Sequence, residues 1–231
     1  MVLFTLLVVA LCLGWAVSLL PGSKVVVFGA TGRVGRLVVK ELLTLDGVKV
    51  TAAVRSKTKA DEVFKGMDTS KLDVVPVNVR YKDALASVLD DADAAVWCAT
   101  GFTDKSSALD KFVGLLRLKF SPQSALDIQG LASVGEILSS RARGTQGPQV
   151  VVCSSAGVTR PSWSEAKKER YPGAADIPIV RLNPFNILDV KKEGEEALRS
   201  TRCDYCILRP TGLNDDWPTG RPVLSQGDLA V

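Results

Sequence analysis

The stretch "VVVFGATGRVGRLVVKEL" places three glycines within seven positions, at Gly29, Gly32 and Gly35. The apolar, β-branched run before them, residues 25–28, predicts a short buried strand. In residues 34–42 the apolar side chains recur every three or four positions, which predicts an amphipathic helix. The glycines therefore lie on a strand-to-helix turn. The first amides of a helix attract anions, and residues without a Cβ let a pyrophosphate approach the backbone, so this turn predicts dinucleotide binding.

Five further apolar segments follow along the chain, separated by regions with helical patterns or turns. The segments are "VKVTAAVR", "LDVVPVNV", "DAAVWCATG", "PQVVVCSSAG" and "DYCILRP". Helices are predicted at "YKDALASVLDDA", at residues 124–141, and from Asn183, with Pro184 in its first turn, to about Ser200. Strands that are apolar along their whole length and alternate with helices form parallel sheets covered on both faces. The sequence therefore predicts an α/β fold, a Rossmann-type doubly wound parallel sheet.

Ligands of such sheets bind outside the carboxyl ends of the strands. The residues that follow the predicted strands are therefore the candidates for contact with the cofactor. They are Gly29, Thr31, Gly32, Arg33, Val34, Gly35, Arg55, Asn78, Ala99, Thr100, Gly101 and Pro210. The turn after the fifth strand adds Ser154 and Ser155 to the same edge of the sheet.

The end of the second strand indicates which dinucleotide binds. Sites that prefer NAD carry an acidic residue there, which accepts hydrogen bonds from the ribose 2′-hydroxyl. In this chain Arg55 ends the strand, and the first acidic residue beyond it is Asp61. An arginine binds a 2′-phosphate through two parallel charge-assisted hydrogen bonds, and Arg33 and Lys57 add positive charge. The sequence thus predicts NADP(H) as the cofactor.

The composition excludes several functions. The chain contains no histidine, which rules out Ser–His and Cys–His nucleophilic catalysis and a histidine-ligated zinc site. A net charge of +4 without an arginine-rich run gives no indication of nucleic-acid binding. Five cysteines show no disulfide-framework spacing, and the C-x-x-C pair Cys203 and Cys206 lies on a turn before a strand, which favours a structural role.

The first twenty residues form a separate segment. Residues 2–20 carry no charge and are long enough to cross a bilayer. A cleaved targeting signal, an uncleaved anchor and a buried core helix all remain possible readings, of which targeting or anchoring is favoured. The sequence therefore predicts an apolar targeting or anchor segment at 1–20 and an NAD(P)-binding domain at 21–231.

Five motifs in order, "GATGRVG", "CATG", "CSSAGV", "KKEGEEALR" and "DYCILRPTG", resemble the NmrA-like branch of the atypical short-chain dehydrogenases/reductases, common in plastids and cyanobacteria. The resemblance covers Lys24 to Leu213 and implies a Rossmann fold with bound NAD(P)H. It also implies Ser155 as the catalytic serine and Lys192 as the catalytic lysine. Catalytic members carry a tyrosine four residues before that lysine, but Leu188 occupies this position here.

Family members normally continue after the last motif into a further helix and strand that close the substrate pocket. Here eighteen residues follow Leu213, so the substrate-side C-terminal part is expected to be truncated. A partner that closes the pocket, an open pocket and a fragmentary chain remain alternatives. The resemblance favours a plastid NADP(H)-dependent reductase of a small carbonyl or enone substrate. The missing tyrosine favours a nucleotide-binding scaffold or redox sensor at an organelle membrane.

Overall fold

The computed structural model describes residues 22–100, 126–140, 147–183, 186–211 and 213. Within this part of the chain, six parallel strands form one sheet. They are β1 (Lys24–Phe28), β2 (Lys49–Val54), β3 (Leu72–Pro76), β4 (Ala94–Trp97), β5 (Val150–Cys153) and β6 (Tyr205–Leu208). Their spatial order is β3-β2-β1-β4-β5-β6. This order reverses between β1 and β4, as in dinucleotide-binding doubly wound sheets. The predicted fold class is therefore confirmed.

Helices follow each of the first five strands. They are α1 (Gly35–Leu42), α2 (Lys57–Val63), α3 (Lys82–Val88), α4 (Leu126–Ser139), α5 (Glu165–Arg170), α6 (Pro172–Ala175), α7 (Pro178–Leu182) and α8 (Ile187–Arg199). Two 3₁₀ turns, Ala156–Val158 and Arg160–Ser162, come directly after β5. No described helix is long and apolar enough to cross a membrane, and the apolar segment 1–20 lies outside the described residues.

The strands are apolar along their length because both faces of the sheet are covered. On one face Val25 and Val27 pack with residues of α1 and α2, including Val38 and Ala60. On the other face the alternate residues pack under α3 and α4 and against Leu198 of α8. This second set includes Val26, Phe28, Trp97, Val150 and Val152. The period-two alternation of each strand thus supplies two cores, one on either side of the sheet.

The segment between β5 and α8 differs from the sequence-based expectation. Three prolines, Pro161, Pro172 and Pro178, are typical of a loop, but three short helices, α5 to α7, form there without a single buried residue. The predicted helix from Asn183 begins later, at Ile187. Asn183 adopts a positive φ of 29°, and its side-chain oxygen accepts a 3.0 Å hydrogen bond from the Leu188 amide. It therefore caps α8 from outside the helix, and Pro184 lies outside the described residues.

Candidate functional site

The glycine turn lies where the strand order reverses, between the ends of β1 and β4. Gly29 adopts a positive φ of 73°, a conformation that glycine takes without steric cost. A Cβ on Gly29 would lie 2.6 Å from the backbone nitrogen of Ala99, and one on Gly35 would overlap the Gly29 carbonyl oxygen. Only residues without a side chain allow β1, α1 and the end of β4 to pack this closely. Gly29 and Gly35 are therefore required by the packing of the fold itself.

Gly32, by contrast, is exposed. Within the part of the chain that the structure describes, a Cβ there would meet one atom within 4 Å, the Gly29 oxygen at 3.1 Å. The Gly32 amide donates a 2.9 Å hydrogen bond to Gly29, and its carbonyl accepts one of 3.0 Å from Arg36. The turn thus leads directly into α1, whose first amides point towards the carboxyl edge of the sheet. Half-buried Thr31 and Val34 and exposed Arg33 line the same turn.

The ends of β2 and β3 carry the predicted contacts to the adenosine half. Arg55 is exposed directly after β2, and Ser56 behind it caps α2 by accepting a 3.3 Å hydrogen bond from the Lys59 amide. Asn78 is exposed after β3, where its side-chain oxygen accepts a 3.2 Å hydrogen bond from the Arg80 amide. The oxygen of Asn78 thus stabilises its own turn. The positively charged side chain of Arg55 is exposed to solvent at this edge of the sheet.

The ends of β4, β5 and β6 form the other half of the edge. Ala99 and Thr100 are half-buried after β4, and Gly101 lies outside the described residues. The carbonyl of Pro210 accepts a 2.9 Å hydrogen bond from the Ala156 amide. This hydrogen bond joins the residues that follow β5 to the residues that follow β6, next to Ser155. The Pro210 carbonyl oxygen is therefore engaged in a contact within the protein.

Ser155 is half-buried at the start of the first 3₁₀ turn, where its hydroxyl oxygen accepts a 3.2 Å hydrogen bond from the Gly157 amide. The hydroxyl proton remains a donor. Buried Leu188 lies next to this turn, because a Cβ on Gly157 would be 3.1 Å from a Leu188 methyl and 3.4 Å from the Ser155 oxygen. The wall beside Ser155 is therefore apolar.

The two lysines of α8 have different surroundings. Lys192, the lysine predicted for the site, is exposed. The side chain of its neighbour Lys191 is 16% exposed, and its ammonium nitrogen lies 4.0 Å from the carboxylate of Asp127, in the first turn of α4. Successive helix residues point about 100° apart, so only one of them faces α4. The side chain of Lys191 thus faces α4, whereas that of Lys192 is exposed.

A buried carboxylate, Glu195, joins α8 to the ends of β5 and β6. It is 1% exposed and accepts hydrogen bonds from Ser154 at 2.5 Å, from Arg209 at 2.5 and 3.1 Å, and from Arg199 at 3.2 Å. Burial raises the pKa of the Glu195 carboxyl, but the hydrogen bonds from Arg209 and Ser154 and the charges of both arginines more than offset it. The pKa therefore lies below its ordinary value.

The described cysteines are reduced thiols. Burial, followed by the charge of Asp204, raises the pKa of Cys203 to about 12, and burial raises the pKa of Cys206. The Cys203 sulfur lies 3.5 Å from the side-chain oxygen of Gln149. These features agree with the structural role predicted for the C-x-x-C pair.

Asp127, Lys191 and Glu195 were missed by the sequence reasoning. A signal for Lys191 existed, because residues 187, 191, 194 and 198 follow the three-and-four spacing of a buried helix face. Asp127 and Glu195 gave no such signal, since acidic residues at those positions are also typical of solvated helix surfaces.

A family model described as NAD(P)H-binding matches residues 29–231. An uncharacterized chloroplastic protein of Arabidopsis thaliana is 30% identical over 217 residues, which are 93% of this chain and 68% of that protein. Protein TIC 62, chloroplastic, of Pisum sativum is 26% identical over 83% of this chain, and the chain spans 33% of its length. Among solved structures, the Bordetella bronchiseptica enzyme WbmH in complex with NAD+ has a TM-score of 0.56 at 17% identity, over 81% of this chain and 55% of that one.

Proposed function

Since the chain belongs to the NAD(P)H-binding family of the short-chain dehydrogenase/reductase type, we propose that it is a reductase that uses NADPH to reduce a small carbonyl or enone substrate. The family membership confirms the predicted resemblance and a nicotinamide dinucleotide as the cofactor. The observation that carries the proposal is the turn at Gly29, Gly32 and Gly35 at the reversal point of the sheet. There an exposed glycine leaves room for a pyrophosphate above the start of α1.

The cofactor supplies the hydride, and the protein binds and orients it. In this proposal the turn around Gly32 binds the pyrophosphate, and Ser155 donates a hydrogen bond to the substrate oxygen. The lysine contact with the nicotinamide ribose, expected of Lys192, is assigned to Lys191, because Lys192 is exposed while Lys191 faces α4 at the carboxyl edge of the sheet. Leu188 and Gly157 exclude water beside Ser155.

We further propose that the protein prefers NADPH to NADH. Arg55 is exposed at the end of β2, where it would bind the 2′-phosphate. A charge-assisted hydrogen bond contributes about 1.5–3 kcal/mol, so Arg55→Ala should weaken NADPH binding by roughly 10- to 150-fold. Fluorescence titration should show NADH binding nearly unchanged.

A matched control lies on the same strand. Lys49 is an exposed base at the opposite end of β2, so Lys49→Ala should alter neither affinity. Equal losses of NADPH and NADH in Arg55→Ala, or a wild type that prefers NADH, would contradict the proposed cofactor preference.

The test of catalysis is NADPH consumption by the full chain against a panel of small ketones, aldehydes and enones. Substrate-dependent oxidation of NADPH would support the reductase. Tight NADPH binding without oxidation across the panel would support the second candidate, a nucleotide-binding scaffold or redox sensor. The second candidate is favoured by one observation: none of the three tyrosines, Tyr81, Tyr171 and Tyr205, precedes a lysine of α8 by four residues.

We propose a plastid location, because the Arabidopsis and pea relatives are chloroplastic proteins by name. We also propose that the protein associates with an organelle membrane through residues 2–20. A protein partner that closes the substrate pocket is a further part of this proposal. Fractionation of isolated plastids would test both the compartment and the membrane association.

A further inference from the structure

Two cysteines lie side by side where β4 and β5 end. The register of these parallel strands pairs Trp97 with Val152, and the next residue of each strand is a cysteine, Cys98 and Cys153. Adjacent strands are about 4.8 Å apart. This separation falls within the range of about 4.4–6.8 Å between the Cα atoms of disulfide-bonded cysteines. The backbone therefore places the two cysteines within bonding reach of each other.

Both side chains lie on the same face of the sheet, because successive residues of a strand alternate between its two faces. Trp97 and Val152 belong to the core under α3 and α4, so Cys98 and Cys153 belong to the opposite face. Cys98 packs there against the core that α1 and α2 cover. The two thiols are therefore neighbours on one side of the sheet.

Both thiols are reduced and half-buried. Burial raises the pKa of the Cys153 thiol, and the positive charge of Lys191 acts in the opposite direction. A raised pKa lowers the fraction of the reactive thiolate. Cys153 is therefore suited to the second step of disulfide formation, in which its partner sulfur is already beside it.

A third half-buried thiol, Cys206 of β6, lies on the same face but out of register. The register of β5 and β6 pairs Cys206 with Val151, two residues before Cys153. A two-residue offset between adjacent strands separates the Cα atoms by about 8 Å. Cysteines more than about 7 Å apart are not bridged without backbone movement, so Cys206 provides a matched control.

We propose that Cys98 and Cys153 form a reversible disulfide at the carboxyl edge of the sheet, and that this bond weakens binding of the nicotinamide dinucleotide. The Cys98 thiolate attacks one sulfur of a low-molecular-weight disulfide, such as oxidised glutathione, and one thiol leaves. The Cys153 thiolate then attacks the Cys98 sulfur, and the second thiol leaves. The protein loses two electrons and two protons, and the oxidant gains both.

The effect on the nucleotide follows from the residue after Cys98. Ala99 lies so close to the glycine turn that a Cβ on Gly29 would be 2.6 Å from the Ala99 backbone nitrogen. The Cβ atoms of a disulfide are about 3.8 Å apart, closer than the strands, so the bond would draw the end of β4 towards β5 and away from Gly29. The strain would also make the bond easier to reduce. The effect on the nucleotide rests on the proposed function, which places the pyrophosphate at this turn.

The test uses the full chain with Cys12→Ser, which removes the thiol outside the described residues. The protein is equilibrated in buffers of reduced and oxidised glutathione at pH 8, with and without saturating NADPH. Non-reducing peptide mapping by mass spectrometry identifies the linked cysteines. Fluorescence titration gives the NADPH affinity before oxidation, after oxidation and after reduction with dithiothreitol, and circular dichroism follows the fold of each form.

The linked peptides of Cys98 and Cys153 should form in this protein and equally in the Cys206→Ser variant. They should be absent from Cys98→Ser and Cys153→Ser, and Cys98→Ala replaces Cys98→Ser if the serine variant does not fold. Oxidation should weaken NADPH binding by roughly 5-fold or more, and dithiothreitol should restore the affinity. Because coupling between two equilibria is reciprocal, NADPH should disfavour the disulfide by the same factor.

Reduced thiols at both positions in the most oxidising buffer, or a linkage between other cysteines in their place, would overturn the proposed disulfide. Unfolding on oxidation would also overturn it, since the bond is proposed within the folded sheet. A disulfide between Cys98 and Cys153 that leaves the NADPH affinity unchanged would overturn its effect on the nucleotide. Protein that binds no NADPH in either redox state would remove the proposed function and this effect together, whereas the disulfide itself would stand.

Discussion

The hydroxyl of Ser154 donates a 2.5 Å hydrogen bond to the buried carboxylate of Glu195, which joins the residue before Ser155 to α8. Arg209, after β6, binds the same carboxylate. Three elements that meet at the site edge are thus connected through one ionised group. Loss of this group removes an ionised partner of Arg209 and Arg199 at a partly buried site, which is costly.

Glu195→Gln should lower the free energy of unfolding at pH 7 by about 2–3 kcal/mol. The pKa of Glu195 is lowered in the folded protein from its ordinary value of 4.5. Its contribution is therefore fully present above pH 4.5 and is lost as the pH falls through the folded-state pKa. Urea unfolding at pH 7 and at several values below 4.5 should show the difference between wild type and variant shrinking.

Glu196→Gln is the control for this prediction. Glu196 is the next residue on α8 and binds Arg199 at 2.8 Å, but its side chain is 62% exposed. Removal of an exposed ion pair should change stability by about 0–1 kcal/mol. Equal effects of the two variants would contradict the assignment of a special role to the buried carboxylate.

Gly32→Val should abolish NADPH binding and leave the fold intact. The branched side chain would occupy the space above the turn that is proposed for the pyrophosphate. Among the described residues, the added Cβ has one close neighbour, the Gly29 oxygen. NADPH titration and thermal unfolding are the measurements. Gly35→Ala is the contrasting variant, because its Cβ would overlap the Gly29 backbone, so it should lower thermal stability as well. Unchanged NADPH affinity in Gly32→Val would show that the turn is not the nucleotide site.

Ile187→Tyr should introduce a phenol whose pKa lies below the usual value of about 10. Ile187 precedes Lys191 by four residues, so a tyrosine there would lie next to the lysine ammonium, which favours the ionised phenolate. Leu188 lies four residues before Lys192, but its side chain is buried against Gly157. A tyrosine could therefore not be introduced at Leu188 without disturbing the packing. The ultraviolet difference titration of the variant against wild type gives the pKa of the added phenol.

The same substitution in a Lys191→Met background should return that pKa towards about 10. If the reductase proposal holds, Ile187→Tyr should also raise turnover, since general acid catalysis typically contributes about 100- to 10,000-fold. An unshifted phenol in the single variant would show that Ile187 and Lys191 do not face each other.

Cys203 and Cys206 should resist alkylation in the native protein. With a pKa of about 12, Cys203 is ionised in only about one molecule in 10,000 at pH 8, and the thiolate is the reactive form. Iodoacetamide labelling followed by mass spectrometry should find both cysteines modified only after unfolding in urea. Rapid native labelling, or a disulfide between them after mild oxidation, would reverse the structural assignment and indicate a redox-active pair.

The sequence by itself determined the class of fold, the position of the glycine turn and the sheet edge at which the strand-exit loops lie. These features follow from local patterns: strands covered on both faces are apolar along their whole length, and a helix repeats its apolar residues every three or four positions. Strand-to-helix turns in parallel sheets all lie on one edge. The sequence alone therefore predicts that residues far apart in the chain, such as Gly29 and Ala99, lie at the same edge of the sheet.

Only the tertiary structure decided which charged residues face that edge. Lys191 and Lys192 are adjacent and chemically identical, and the rotation of α8 against α4, set by Gly194 at the Asp127 backbone, separates them. Glu195 resembles a surface residue in the sequence, yet its partners Ser154 and Arg209 are 41 and 14 residues away. Helix rotation and depth depend on packing between distant segments, and no local pattern encodes them.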